Sequence, residues 1–332
     1  MKSKNELLAV LVAGVALTAC GGAWGQHSSV HRSDDGGVIL TVYGEAWGDG
    51  GDTPAPAASA IVTSVPAATY EATSSEALAY EMLNAERSQC GFGLLAQDIR
   101  LDQAAMGHLD YLAQNNAVGH FQKPGNARFT GVNPGNRATA AGYDHRQVGE
   151  TLLPVPFTEN VEYAVRSILS APHTLVALHG LRDVGLAWGP TAVGRTLEMV
   201  FGLAENAVHQ DAGKVLTYPC EGSAGVLAST GEEVPTPFLA EADAIWGQPI
   251  LVKGASDLRV AAASITGPGG AVTIKALYGD EQTTDPNGRC KAGVACIIPV
   301  ALATNTTYTA TVSGTNAGAG FMSTFSFRTG AR

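Results

Sequence analysis

Ser170 and His173 stand three residues apart in the run Ser170-Ala171-Pro172-His173, with Glu150 upstream of both. These are the residue types of a nucleophile, a base and an orienting carboxylate, in which an imidazole takes the serine proton. No GxSxG elbow accompanies them, and a Ser and a His this close in one loop rarely meet at hydrogen-bond distance. The plain structural reading is that Ser170 terminates a helix or caps the turn. No HExxH, CxxC, phosphate loop or dinucleotide fingerprint offers a competing chemistry. His108 falls inside a predicted helix and reads as a packing or edge residue. His145 lies in a polar GYDHRQ stretch, and His27 and His31 lie near the amino terminus. Asp98, Asp102 and Asp110 read as cap and solvent-face residues.

Cysteine is the other chemistry-bearing type, and five are too few for a disulfide-dense scaffold. Lys2 and Lys4 precede the uncharged run Leu7 to Ala19. A bilayer-spanning helix takes about 20 apolar residues, so this run is short for an anchor and suits a secretory h-region. Leu17-Thr18-Ala19-Cys20 resembles the bacterial lipobox, in which the thiol is acylated and cleavage leaves the Cys first; Glu6 departs from the usual n-region. Multiple acyl chains matter because one alone gives only marginal membrane affinity. The expectation is a signal peptide over 1–19, a lipid anchor at Cys20, and a bacterial cell-envelope location on its periplasmic or surface face. The other four Cys allow three connectivities. Cys290 and Cys296 are close enough to join a small loop, which leaves Cys90 to pair with Cys220, and an exported location permits both.

The elements that must position these residues divide along the chain. At 332 residues the length suggests two domains. Apolar residues at 45% supply core material, and charged residues at only 15% argue against a charged disordered chain. The net charge of −10, with no Lys/Arg cluster, excludes a nucleic-acid footprint. Residues 20–73, rich in Gly, Ala and Pro, read as a tether, with Val38–Tyr43 strand-like within it. Thr73 and Glu76 read as a capping box opening a helix that carries Leu78, Met82 and Ala85 and closes at Gly91. Further helices are predicted over 101–116 and 158–169, then strands over 183–188 and 197–201. Helices followed by strands suggest an α+β sandwich. From about Lys214 the period becomes two, as in Val272, Ile274 and Ala276 or Tyr308, Ala310 and Val312. An all-β sandwich over 214–330 follows. Its LATNTTYTATV run resembles the tyrosine-corner strand of Ig-like modules, with Tyr308 as the Tyr. Asn305-Thr306-Thr307 matches a glycosylation triplet, which strand composition explains.

An ordered series of motifs runs through the first domain: LNAERSQCGFGLL (83–95), LDQAAMGHLDYLAQNN (101–116), GHF (119–121), FTG and NRATAAGY (129–143), GE (149–150), SAPH (170–173), DVGLAW (183–188) and FG (201–202). In this order they resemble the CAP superfamily, or SCP domain, of cysteine-rich secretory proteins, venom allergens and plant pathogenesis-related proteins. The resemblance covers 74–205 and implies an αβα sandwich. It departs from the pattern at SAPH, which bacterial members commonly write SPGH, and at Gly149-Glu150-Thr151 in place of GEN.

The family's cleft holds two His and, in many members, two Glu. By motif the resemblance places His120, Glu150 and His173 there as a ligand set for Zn²⁺ with an open position. The second Glu does not transfer, because Glu159 and Glu162 both need a shift. The implied function is a lipid-anchored module that binds a small ligand, lipid or peptide. The alternative is a metal-assisted or Ser/His hydrolase using Ser170, His173 and Glu150. A third possibility is a structural spacer.

Overall fold

The computed structural model describes residues 40–44, 61–178, 180–231, 233–234, 236–238, 245–279, 285–290 and 293–332. The expected signal peptide over 1–19, Cys20, His27 and His31 fall outside the described residues. Among those described, no helix is long and apolar enough to cross a membrane.

Strand β1 (Leu40–Gly44) precedes helix α1 (Ser75–Cys90). Then come β2 (Ala96–Gln97), α2 (Ile99–Asn115), α3 (Pro134–Ala140), β3 (His145–Val155), α4 (Val161–Ile168), α5 (Pro172–Leu178), β4 (Asp183–Thr191) and β5 (Gly194–Ala204). The rest is β: β6 (Leu216–Tyr218), β7 (Ala224–Val226), β8 (Glu233–Val234), β9 (Ile250–Lys253), β10 (Arg259–Gly267), β11 (Gly270–Val272), β12 (Ile274–Tyr278), β13 (Val294–Pro299), β14 (Thr307–Asn316) and β15 (Ala319–Thr329). The chain is α+β, with a β-sandwich as its second part.

Local chemistry sets the helix ends. The α1 cap is Ser74, one residue later than the capping box predicts; its hydroxyl accepts from Ala77 N–H at 3.0 Å. Glu76 is drawn off to accept from Trp188 N–H instead. Gly91 takes the left-handed conformation that closes the helix, as expected. Asp98 caps α2. Asp102, expected on a solvent face, instead accepts from Tyr70 Oη, Gln97 Nε2 and Leu186 N–H, so it staples three segments together.

The first sheet has the order β2-β4-β5-β3-β1-β8. Its long strands β3 and β5 are buried on both faces over most of their length, which removes the polar alternation that marks a half-exposed strand. Leu101, Ala105 and Leu109 of α2 pack with Val148 and Val200 on one face. Leu83 of α1, Ala164 and Val165 of α4 and Leu175 of α5 pack with Leu153, Met199 and Phe201 on the other. At Gly185 a Cβ would come within 2.1 Å of the Leu101 main chain, so glycine is what lets α2 lie against β4.

The sandwich has one sheet of order β11-β10-β14-β15-β7 and one of order β12-β13-β9-β6. The Tyr308 hydroxyl accepts from Ala303 N–H at 2.8 Å, the bond expected of a tyrosine corner. Along β9 and β13, Ile250, Val252, Ala295 and Ile297 face the sandwich interior. Leu251, Val294, Cys296 and Ile298 face the helices of the first part. The four-stranded sheet is thus a wall shared by two apolar cores. Two disulfides reinforce the assembly: Cys90–Cys220 ties α1 to the segment after β6, and Cys290–Cys296 closes the short loop into β13.

Candidate functional site

Glu150 lies in β3 opposite Val200 of β5, on the face covered by α2 and α3. Two residues along β5, Glu198 stands opposite Leu152 and is the diagonal neighbour of Glu150 on that face. His108 descends from α2, Arg137 from α3, and His120 from the loop between them. All five side chains are buried.

His120 Nδ1–H donates to Glu150 Oε1 at 2.8 Å, and Arg137 Nη2 pairs with Glu150 Oε2 while its Nη1 donates to the His120 carbonyl. Burial alone would raise the Glu150 carboxyl, but the Arg137 guanidinium with His108 and His120 holds it well below the usual range. Glu198 behaves in the opposite sense. Burial and then the Glu150 charge push it well up, and neither of its oxygens has a hydrogen-bond partner among the described residues. A buried carboxylate pair with one member held charged leaves the other favouring its proton.

His108, Glu150 and Glu198 each offer a ligand atom within 4.8 Å of the others, a group that could hold a metal ion. The imidazole is already engaged. Thr130 N–H fixes Gln122 Oε1, so Gln122 Nε2–H faces His108 Nδ1 at 3.0 Å, and the ring proton sits on Nε2 and points to the Gly119 carbonyl at 3.0 Å. Burial lowers this His to about 3, so it is neutral. An ion on Nε2 would have to replace the proton that the Gly119 carbonyl now accepts.

His173 does not join this group. It belongs to α5, in the helical layer on the opposite face, and its polar contacts come from the second part of the chain. Its Nδ1 lies 3.4 Å from Glu233 Oε2 and its Nε2 3.6 Å from Asp285 Oδ1. Glu233 Oε1 also accepts from the N–H groups of His173 and Thr174. Burial would lower His173, but Glu233 and Asp285 raise it overall. Asp285, itself buried, is pulled down by His173 and by the N–H groups of Cys290 and Asn287. The set His120, Glu150 and His173 therefore does not fit one Zn²⁺: the first two meet, and the third is turned to other partners.

Nor does Ser170 face His173. Its Oγ lies 2.9 Å from the Arg166 carbonyl and 2.8 Å from Gln248 Oε1. Gln248 Nε2 donates to Leu169 O, and Trp246 Nε1 donates to Ser170 O. The Ser170 end of the turn ends a helix, as the structural reading held. The whole turn is a docking point for the second module.

Arg137, Glu198, Glu233 and Asp285 carry the electrostatics and were not singled out from sequence. Glu198 alone left a signal, a lone acid inside the apolar run Leu197 to Leu203. His145, read as part of a polar loop, begins β3. Compared with known family models and with curated proteins, the chain matches none.

Proposed function

We propose that the chain is a CAP-type module carrying an Ig-like module, held on the bacterial envelope by a lipid on Cys20, and that it acts by binding rather than by turnover. The observation that carries this reading is the separation of Ser170 from His173, each buried and each bound to a different residue of the later part of the chain, Gln248 and Glu233. A nucleophile needs its base within about 3 Å and room for substrate. The ordered motifs from LNAERSQC to DVGLAW support the CAP assignment, and helices on both faces of the first sheet are compatible with it.

Ligand contact is proposed for the groove of about 330 Å³ where α4 meets the second module, lined by Asn160, Glu162, Tyr163, Arg166 and Arg332. Arg332 lies over the Tyr163 ring at 5.4 Å, so the lining offers charged, amide and phenol groups, which suits a polar ligand such as a glycan or a peptide. The test is a panel of ester, peptide and glycoside substrates with wild type and Ser170→Ala, alongside peptidoglycan-fragment and peptide titrations with wild type and Tyr163→Ala. Tyr163-dependent binding without turnover supports the reading. Ser170-dependent turnover overturns it.

A second reading rests on Glu198, which is buried beside Glu150 and His108 and whose oxygens have no hydrogen-bond partner among the described residues. Here the His108, Glu150 and Glu198 group takes Zn²⁺, which would supply Lewis-acid or structural charge at a buried site. Metal analysis and calorimetric titration of wild type and Glu198→Gln decide it. A bound equivalent lost in the variant supports the site, and equal, weak uptake by both removes it.

A further inference from the structure

Among the described residues, strand β1 is the one element of the first sheet that comes from before α1. Its register is antiparallel to β3, pairing Thr41 with Leu152, Val42 with Thr151, Tyr43 with Glu150 and Gly44 with Gly149. On its other side it runs parallel to β8, Leu40 opposite Glu233 and Thr41 opposite Val234. Take β1 away, and β3 stays paired to β5 on one side while its other main-chain edge is left open. Edges of this kind recruit strands.

We propose that the place of β1 is a strand-acceptor slot, and that the matching segment of a second copy of this chain fills it to form a strand-exchanged dimer. Three features support exchange. The segment Val38-Ile39-Leu40-Thr41-Val42-Tyr43 is uncharged and β-branched or aromatic at most positions, which suits main-chain augmentation. Residues 45–60 join it to Ile61, a stretch rich in Gly, Asp, Pro and Ala that extends at most roughly 55 Å. Ile61 onward is tied to the body, since Val62 N–H donates to Gln210 Oε1 and Leu94 N–H to Val62 O. Sixteen residues of sequence thus separate the strand from the first anchored residues of the body.

The hydrogen bonds and pairings are the same whether the strand comes from its own chain or from another, so exchange is governed by concentration alone. A short connector gives its strand an effective concentration of the order of 1 mM. Exchange then becomes appreciable as copies approach that density, a condition met on a crowded surface sooner than in dilute solution. The inference stands apart from the groove and from the metal reading, because neither the groove residues nor the metal ligands' side chains enter it.

The test traps one register pair as a disulfide, in a full-length Cys20→Ser background. The double variant Val42→Cys/Thr151→Cys reports on the slot, because the two positions face each other across the ladder. Val42→Cys and Thr151→Cys made as separate proteins report on exchange, because only pairing between copies can link them. The two single variants are mixed, brought to about 1 mM or refolded together, and oxidised mildly. Linked peptides are then mapped by mass spectrometry. Expected are an internal link in the double variant and a mixed dimer joined between 42 and 151, well above a control mixture of Val42→Cys with Thr309→Cys, an exposed position on the other sheet. An internal link with no mixed dimer above control would overturn exchange. No internal link in the double variant would overturn the slot itself. Should Thr151→Cys fail to fold, Thr41→Cys with Leu152→Cys serves as the second register pair.

Discussion

Glu233 accepts the main-chain N–H of His173 with one carboxylate oxygen and places the other 3.4 Å from the ring Nδ1 of the same residue. One side chain from β8 thus holds both the start of α5 and the imidazole that α5 carries. The motif that most resembles a catalytic loop is, in this chain, a buried joint between modules.

That joint should be pH-dependent. His173 sits above its usual 6.5, so its contribution is complete below that value and fades as pH rises through the folded one. Asp285 sits below its usual 3.8, so its contribution is complete above 3.8 and fades in stronger acid. The pair stabilises most between about pH 4 and pH 6.5. Glu233, raised by burial, loses stability with rising pH in the same direction as His173. The urea midpoint should be higher at pH 5.5 than at pH 8.5, and His173→Gln should shrink that difference. An equal difference in the variant would disprove the assignment.

Glu198→Gln should grow more stable relative to wild type as pH rises. The wild-type carboxyl is raised in the fold, so the stability it contributes is present at low pH and lost as pH climbs, whereas an amide has no charge to bury. The gain should be plain at pH 8.5 and near zero at pH 4. Parallel stability curves for the two proteins would show that Glu198 is not shifted.

Gly185→Ala should cost about 3 kcal/mol, because the new methyl meets the Leu101 and Asp102 main chain rather than a movable side chain. Gly269→Ala, with nothing within 4 Å, should be close to neutral. Thermal denaturation of both variants checks this, and a mild Gly185→Ala would mean that α2 can back away from β4.

Cys20→Ala should shift the protein from the detergent phase to the aqueous phase, or leave it unprocessed, if acyl chains on this thiol supply most of its membrane affinity. Detergent phase partitioning reads the outcome directly, and unchanged partitioning would remove the anchor.

Sequence periodicity recovered what depends on local pattern. The apolar spacing of α1 and α2, the alternation of β14 and β15, the glycine that closes α1 and both disulfide pairings are in the structure. It missed β3 because that strand is buried on both faces and shows no alternation, only an apolar run interrupted by Gly149 and Glu150. The family resemblance, not periodicity, placed His120 and Glu150 together, and those two do meet. It could not see that His173 answers to Glu233 and Asp285, because those contacts join parts of the chain far apart in sequence. Arg137 was invisible for a related reason: a buried arginine is written like an exposed one until its carboxylate partner is known.

The four-stranded wall shared by the two cores has a practical meaning for anyone cutting the molecule. A break near residue 213 would strip the first part of the Leu251, Val294 and Ile298 surface that covers α1 and α5. It would also leave the second part with that same apolar surface in water and Cys220 without its mate. Both fragments should precipitate or cling to chaperones. The segment that reads as two cassettes behaves as one heritable unit, and neither cassette can be moved to a new host chain without carrying its neighbour along.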